Sequence, residues 1–203
     1  MELYYFPGAC SLACHIALRE AGFTFDIEKV DTKAKKTETG ADYLAVNPKA
    51  YVPTLALDNG QRLSEAAVIL QYIADQKPDA KLAPAPGTPE RYRLLEWLNF
   101  IATELHKGHT PLFCHASLPD ASKQVFKDDL AMRFDFLATE LERKPYLLGD
   151  QFTVADAYLF TVLNWPRYVG IDIGKWPALK AYQQRVGARP AVQAAMKAEG
   201  LIK

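Results

Sequence analysis

"YYFPGACSLACHIAL", Tyr4 to Leu18, is the stretch from which the rest of the chain can be read. Together with Glu2 and Leu3 it opens as a short strand, Glu2–Phe6, which Pro7-Gly8 breaks. Leu12 and Ile16, with Ala13 and Ala17 beside them, then recur at helical spacing until about Gly22. A strand that turns at once into a helix is the start of an α/β unit. Cys10 stands at that turn, where the free N–H groups and the positive end of the helix dipole favour a thiolate. Four readings compete for it: nucleophile, disulfide partner, metal ligand, or small buried side chain. A Cys10–Cys14 disulfide would span one helical turn, an uncommon geometry. Three cysteines in 203 residues are odd in number and few, which points to a reducing compartment. Cys10, Cys14 and His15 lie close together, but no second ligand cluster accompanies them, so no metal is expected. Cys14, inside the helix, and the isolated Cys114 read as buried structural thiols. For Cys10, nucleophile and buried thiol both stay open.

Downstream, "FDIEKV" (Phe25–Val30) alternates with period two, as a half-buried strand does. Asp31–Gly40 reads as a polar loop, and Tyr43, Leu44 and Val46 mark a short helix that stops before Pro48. Thr54–Leu57 and "RLS" form a hairpin around Asn59-Gly60, with both turn residues expected at positive φ. Glu65–Gln76 follows as a helix. The order is β-α-β-α-β-β-α over residues 1–80. Lys77–Glu90 then holds four prolines and one glycine, which marks a linker. Beyond it the pattern is helical throughout. Leu94, Leu95, Leu98, Ile101, Ala102 and Leu105 keep a 3.6-residue period, and so do Phe126, Leu130, Phe134, Leu137 and Leu141. Thr153-Val154-Ala155-Asp156 has the form of a capping box, and helices are expected over Pro177–Gly187 and after Pro190. The fold class is therefore an α/β N-terminal domain, residues 1–80, followed by an all-α domain, residues 87–203.

The charge balance removes whole classes of function. Lys+Arg and Asp+Glu are both 24, so no net field draws nucleic acid or an anionic membrane. No apolar run approaches the ~18 residues of a membrane span. The start, "MELYYFPGA", lacks the basic-then-apolar pattern of a secretory signal, and a cytoplasmic location is expected.

Five segments together carry a family resemblance: "YYFPGACSLA", "NPKAYVPTLAL", "LSEAAVILQYIA", "FTVADAYLF" and "RPAVQAAMKAEGL". Across nearly its whole length the chain resembles bacterial cytosolic glutathione transferases of the cysteine-using beta class. The resemblance implies a thioredoxin-like first domain that binds glutathione and a helical second domain that contributes the site for a hydrophobic co-substrate. It also implies a homodimer whose sites lie near the subunit interface. Glutathione would be a co-substrate, with no further cofactor. The implied reaction joins the glutathione thiol to a small hydrophobic electrophile. In the cysteine-type pattern, Cys10 also forms a reversible mixed disulfide with glutathione. A glutathione-dependent reductase or dehalogenase on the same scaffold, and a non-catalytic binder of glutathione and apolar compounds, are the alternatives.

The resemblance assigns further residues. Val52, before Pro53, would pair its backbone with the cysteinyl part of glutathione as an added strand does. Without the family, Val52-Pro53 means only a turn. Glu65 would take the γ-glutamyl ammonium, and N–H groups of the helix start at Ala66 its carboxylate. Many relatives carry Ser at Ala66, so the backbone donor survives here and the hydroxyl does not. Lys35 would pair with the glycyl carboxylate. Asn99, Thr103 and His106 fall at i, i+4 and i+7 on one helical stripe, which without the family is as readily a solvated face. In the family, Asn99, His106 and Lys107 approach the thiol and glutathione, and Glu104 reaches the glutathione of the partner subunit. His106 would stabilise a thiolate or orient a water. Tyr5 and Ser11 stand where other transferase classes keep their hydroxyl, and are the candidates next after Cys10. His15, His109 and His115 read as structural.

Overall fold

The structure, a computed structural model, describes residues 1–115 and 117–203. It divides into two compact units, Met1–Ala83 with Ala188–Lys203, and Pro84–Gly187.

In the first unit, β1 (Glu2–Tyr5) leads through the Pro7-Gly8 turn into α1 (Ser11–Glu20). β2 (Asp26–Asp31) pairs parallel with β1, Leu3 facing Ile27. Within the segment read as loop lies a two-residue strand, β3 (Lys36–Thr37), antiparallel to β2. A pairing this short leaves no alternation to detect. α2 (Tyr43–Val46) is capped by the Asp42 side chain, which accepts from the Leu44 N–H at 3.0 Å. β4 (Thr54–Ala56) and β5 (Arg62–Ser64) complete a sheet of order β3-β2-β1-β4-β5, and α3 (Ala66–Gln76) follows. The β4–β5 turn differs from expectation. Only Gly60 takes positive φ (+81°), with its N–H on Leu57 O at 2.9 Å and the Gln61 N–H on the Asn59 side chain. The turn is therefore a single bend relieved by one glycine, not a two-residue turn with both residues left-handed.

α1 is buried on every side from Ser11 to Leu18, more than its apolar stripe foretold. The sheet and α3 cover one side, and α9 (Pro190–Ala198) covers another. Arg189, at the head of α9, grips both carboxylate oxygens of Glu20 at 2.6 and 2.9 Å. The C-terminal residues thus pack with the first unit, whereas the sequence reading kept them with the second.

In the second unit, Thr88 caps α4 (Pro89–Phe100), with proline in the first turn. The helix widens into a π-helical segment, Ile101–His106, and continues as α5 (Lys107–Cys114). α6 (Asp120–Leu141) buries Leu130, Phe134, Leu137 and Leu141. α7 (Val154–Leu163) is buried at all ten positions, as the central helix of a bundle must be. α8 (Pro177–Gly187) packs on α6 and α7. The capping box forms as read: Asp156, with no solvent exposure, accepts from the N–H and hydroxyl of Thr153. It also accepts from the Leu147 N–H and the Tyr182 hydroxyl. Burial pushes its pKa up, and these four donors pull against that shift. Among the described residues, no helix is long and apolar enough to cross a membrane.

Candidate active site

Cys10 is the residue immediately before α1, with 8% of its surface exposed, and its thiol points to the Val52 carbonyl at 3.3 Å. The Val52–Pro53 bond is cis. The structure thus brings together the candidate nucleophile and the backbone expected to meet the cysteinyl part of glutathione. Ser11 is fully buried. Its hydroxyl accepts from the Phe6 N–H and donates to the Phe6 carbonyl, both at 3.2 Å, which spends it on the turn before Cys10. Tyr5 is buried as well, and burial pushes its phenol pKa up, so it stays protonated.

Glu65 precedes α3 with φ at +71°, a conformation that costs a residue with a Cβ about 1–3 kcal/mol. Its carboxylate makes no cap bond to the helix and reaches Lys49 Nζ at 2.6 Å. Ala66, buried, opens the helix. Lys35 is half-buried with left-handed backbone (φ +58°), and its carbonyl accepts from the Tyr43 N–H at 2.9 Å.

The second unit holds the other candidates on one stretch of helix. Asn99 is exposed near the end of α4, and its carbonyl accepts from the Thr103 hydroxyl at 3.0 Å. The π-helical segment that follows carries Thr103, Glu104 and His106, and such insertions recur at functional sites. His106 Nδ1 lies 2.7 Å from the Tyr158 hydroxyl, and its ring meets Trp165 edge-on at 4.9 Å. Glu104 is held by Arg133, whose Nε and Nη2 donate to one carboxylate oxygen at 3.1 and 3.0 Å. Lys107 is exposed at the start of α5.

The family models for the glutathione S-transferase N-terminal and C-terminal domains match residues 8–76 and 100–190. The glutathione S-transferase GstA of Escherichia coli O157:H7 is 46% identical over 201 residues, 99% of this chain and 100% of that protein. The chain belongs to the glutathione S-transferase family. A beta-class glutathione S-transferase of Sphingomonas chungbukensis shares 51% identity, with a TM-score of 0.96 over 100% of both chains. A sphingomonad glutathione S-transferase solved with glutathione shares 50% identity, with a TM-score of 0.95 over 100% of both.

Two features of this transferase were not read from its sequence. One is Glu199, whose side chain is fully buried. It accepts from the Gly8 N–H and from His15 Nδ1, both at 2.9 Å, while Arg19 Nε donates to the other His15 nitrogen. That donation fixes the tautomer: Nδ1 carries the hydrogen that goes to Glu199. The network pins the turn at Gly8, two residues before Cys10, where φ is +72°. The other is Lys49, which only the geometry links to Glu65. A further expectation is corrected. Cys114 is exposed rather than buried, because it is the last residue of α5.

Proposed function

We propose that this transferase joins the glutathione thiol to small hydrophobic electrophiles and that Cys10 also exchanges with glutathione through a mixed disulfide. The observation that carries the reading is the Cys10 thiol at the start of α1, 3.3 Å from the Val52 carbonyl. In the exchange, the Cys10 thiolate attacks one sulfur of oxidised glutathione, a Cys10–glutathione disulfide forms, and the other glutathione leaves as thiolate. In the conjugation, the glutathione thiolate displaces a leaving group or adds to the electrophile, and Cys10 forms no bond.

The glutathione contacts are those of the resemblance: Lys35, Val52, Glu65 and Ala66 from the first unit, and Asn99, Thr103 and Lys107 from the helical second unit. His106, oriented by Tyr158, supports the thiolate or a water. An apolar co-substrate is supported by Phe113, which is 45% exposed beside Trp165. Glu104 is assigned to the glutathione of a second copy, so the working form is a homodimer, and the thiols suit a cytoplasmic location. Sedimentation at micromolar concentration should give twice the 22.7 kDa chain mass.

Assaying Cys10→Ala and His106→Ala in both reactions at matched glutathione tests the reading. Cys10→Ala should lose thiol transfer and keep conjugation, or even gain it, since glutathione held covalently would block conjugation. His106→Ala should slow conjugation by up to the ~10²–10³-fold that one oxyanion donor supplies. Full thiol transfer in Cys10→Ala would overturn the cysteine mechanism. Failure to turn over a simple aryl halide with glutathione would leave a binder in place of an enzyme.

A further inference from the structure

Lys49 and Glu65 come from different elements, yet Nζ and Oε1 stand 2.6 Å apart, with side chains 49% and 66% exposed. Pairs this exposed contribute little to stability. Both residues are nonetheless held in place by their surroundings. The Lys49 N–H donates to the Asn47 side chain at 3.1 Å. Asn47 is itself buried, with its amide nitrogen on the Tyr51 carbonyl and the Thr54 hydroxyl. Ala50, next in the chain, is fixed in the left-handed region at φ +57°. Glu65 has the strained φ of +71° already described and turns from its helix toward Lys49. The local backbone therefore presents one cation and one anion side by side at the start of α3. An α-amino-acid head group, with ammonium and carboxylate on one carbon, is the complement of that pair.

We propose that Lys49 is the second charged contact of the γ-glutamyl head, moving from Glu65 to the ligand's α-carboxylate as Glu65 accepts the α-ammonium; this rests on the reading of Glu65 given above. One exposed ion pair is exchanged for two, with no charge left unpartnered. Lys49 then selects ligands that carry the α-carboxylate. A lysine that merely competed for Glu65 would weaken every ligand bearing the ammonium, whether or not the carboxylate were present.

Titration calorimetry with three S-methylated ligands tests this, since the methyl group prevents exchange at Cys10. The ligands are S-methylglutathione, its analogue without the α-carboxylate (a 4-aminobutanoyl head), and its analogue without the α-ammonium (a glutaryl head). Lys49→Met should weaken S-methylglutathione and the glutaryl analogue about two- to fivefold, the range an exposed ion pair supplies. It should bind the aminobutanoyl analogue as tightly as the parent protein does, or more tightly. Lys49→Arg should stay within about twofold of the parent for all three, because the cation is kept. Equal weakening of all three ligands by Lys49→Met, or unchanged binding of S-methylglutathione, would overturn the proposal. Glu65→Gln separates the two levels of the argument. If it leaves S-methylglutathione binding intact, the Glu65 reading fails. If it weakens binding while Lys49→Met does not, Lys49 alone is wrong.

Discussion

Asp156 is where one substitution should cost this protein most. Its carboxylate has no solvent exposure and takes four donors at 2.9 Å: the Leu147 and Thr153 N–H groups, the Thr153 hydroxyl and the Tyr182 hydroxyl. Asp156→Ala removes every acceptor at once. A buried donor left without a partner costs about 1–3 kcal/mol. The two amides cannot turn elsewhere, whereas the hydroxyls can rotate and water can enter the space left behind. The expected loss is therefore about 4 kcal/mol, a large share of the ~5–15 kcal/mol that a domain has. Asp156→Asn keeps the shape and one oxygen but brings an NH₂ group against two donors, and should lose about 2 kcal/mol. All three tryptophans, Trp97, Trp165 and Trp176, lie in the unit Pro84–Gly187, so their fluorescence reports on this unit during urea unfolding. With a urea slope of ~2 kcal/mol per molar, the midpoint should fall by about 2 M for Asp156→Ala and about 1 M for Asp156→Asn. A fall of less than ~0.5 M for Asp156→Ala, or a larger fall for Asn than for Ala, would refute this account of the buried carboxylate.

His109 is buried among Phe113, Phe134 and Trp165, with Nδ1 donating to the Leu105 carbonyl and Nε2 unpartnered. Burial pushes its pKa down, so the unfolded chain binds this proton first as pH falls below ~6.5, and stability drops from there toward the folded pKa; His109→Phe should flatten the urea midpoint between pH 7.5 and 5. An unchanged slope would remove His109 from the account. Ala50 holds a left-handed φ of +57°, which an alanine adopts at a cost of ~1 kcal/mol, so Ala50→Gly should raise the unfolding free energy by about 0.5–1 kcal/mol; a loss of stability counts against strain at this turn. Incubation with oxidised glutathione, followed by peptide mass mapping, should place the adduct on the peptide holding Cys10; an adduct on Cys14 or Cys114 alone contradicts the proposed chemistry.

Local rules made most of the fold legible, and they failed where partners lie far away in the chain. The Pro7-Gly8 break and the Thr153–Asp156 box each act within a few residues, and each has the form that was read. α1 shows the limit. Its apolar stripe predicts one buried face, yet α9 covers another side from about 180 residues away, leaving eight consecutive residues inside. The same distance hides Glu199, 191 residues from the Gly8 amide it holds. Along α4 and the segment after it the 3.6-residue period correctly buried Leu94, Leu98, Ile101 and Leu105. It gave no sign of the π-helical segment at Ile101–His106, because an inserted turn alters phase without altering residue type.

The three thiols show why residue type alone could not settle the chemistry. Cys10 and Cys14 are one helical turn apart in a continuous apolar setting, and both are buried by surface area. Their surroundings differ in kind. Cys10 sits before the first turn of α1, at the positive end of the helix dipole, and retains 8% exposure. Cys14 is inside that helix with no exposure, its thiol 3.9 Å from the Ala66 carbonyl, and burial pushes its pKa well up. A thiolate four residues further on would therefore lose both the helix end and the solvent. Cys114 has the solvent, but as the last residue of α5 it stands at the helix end where the dipole has the opposite sign. Of the three, only Cys10 combines access with a field that favours the anion, and the Pro7-Gly8 break places it there by ending β1 just before α1 begins.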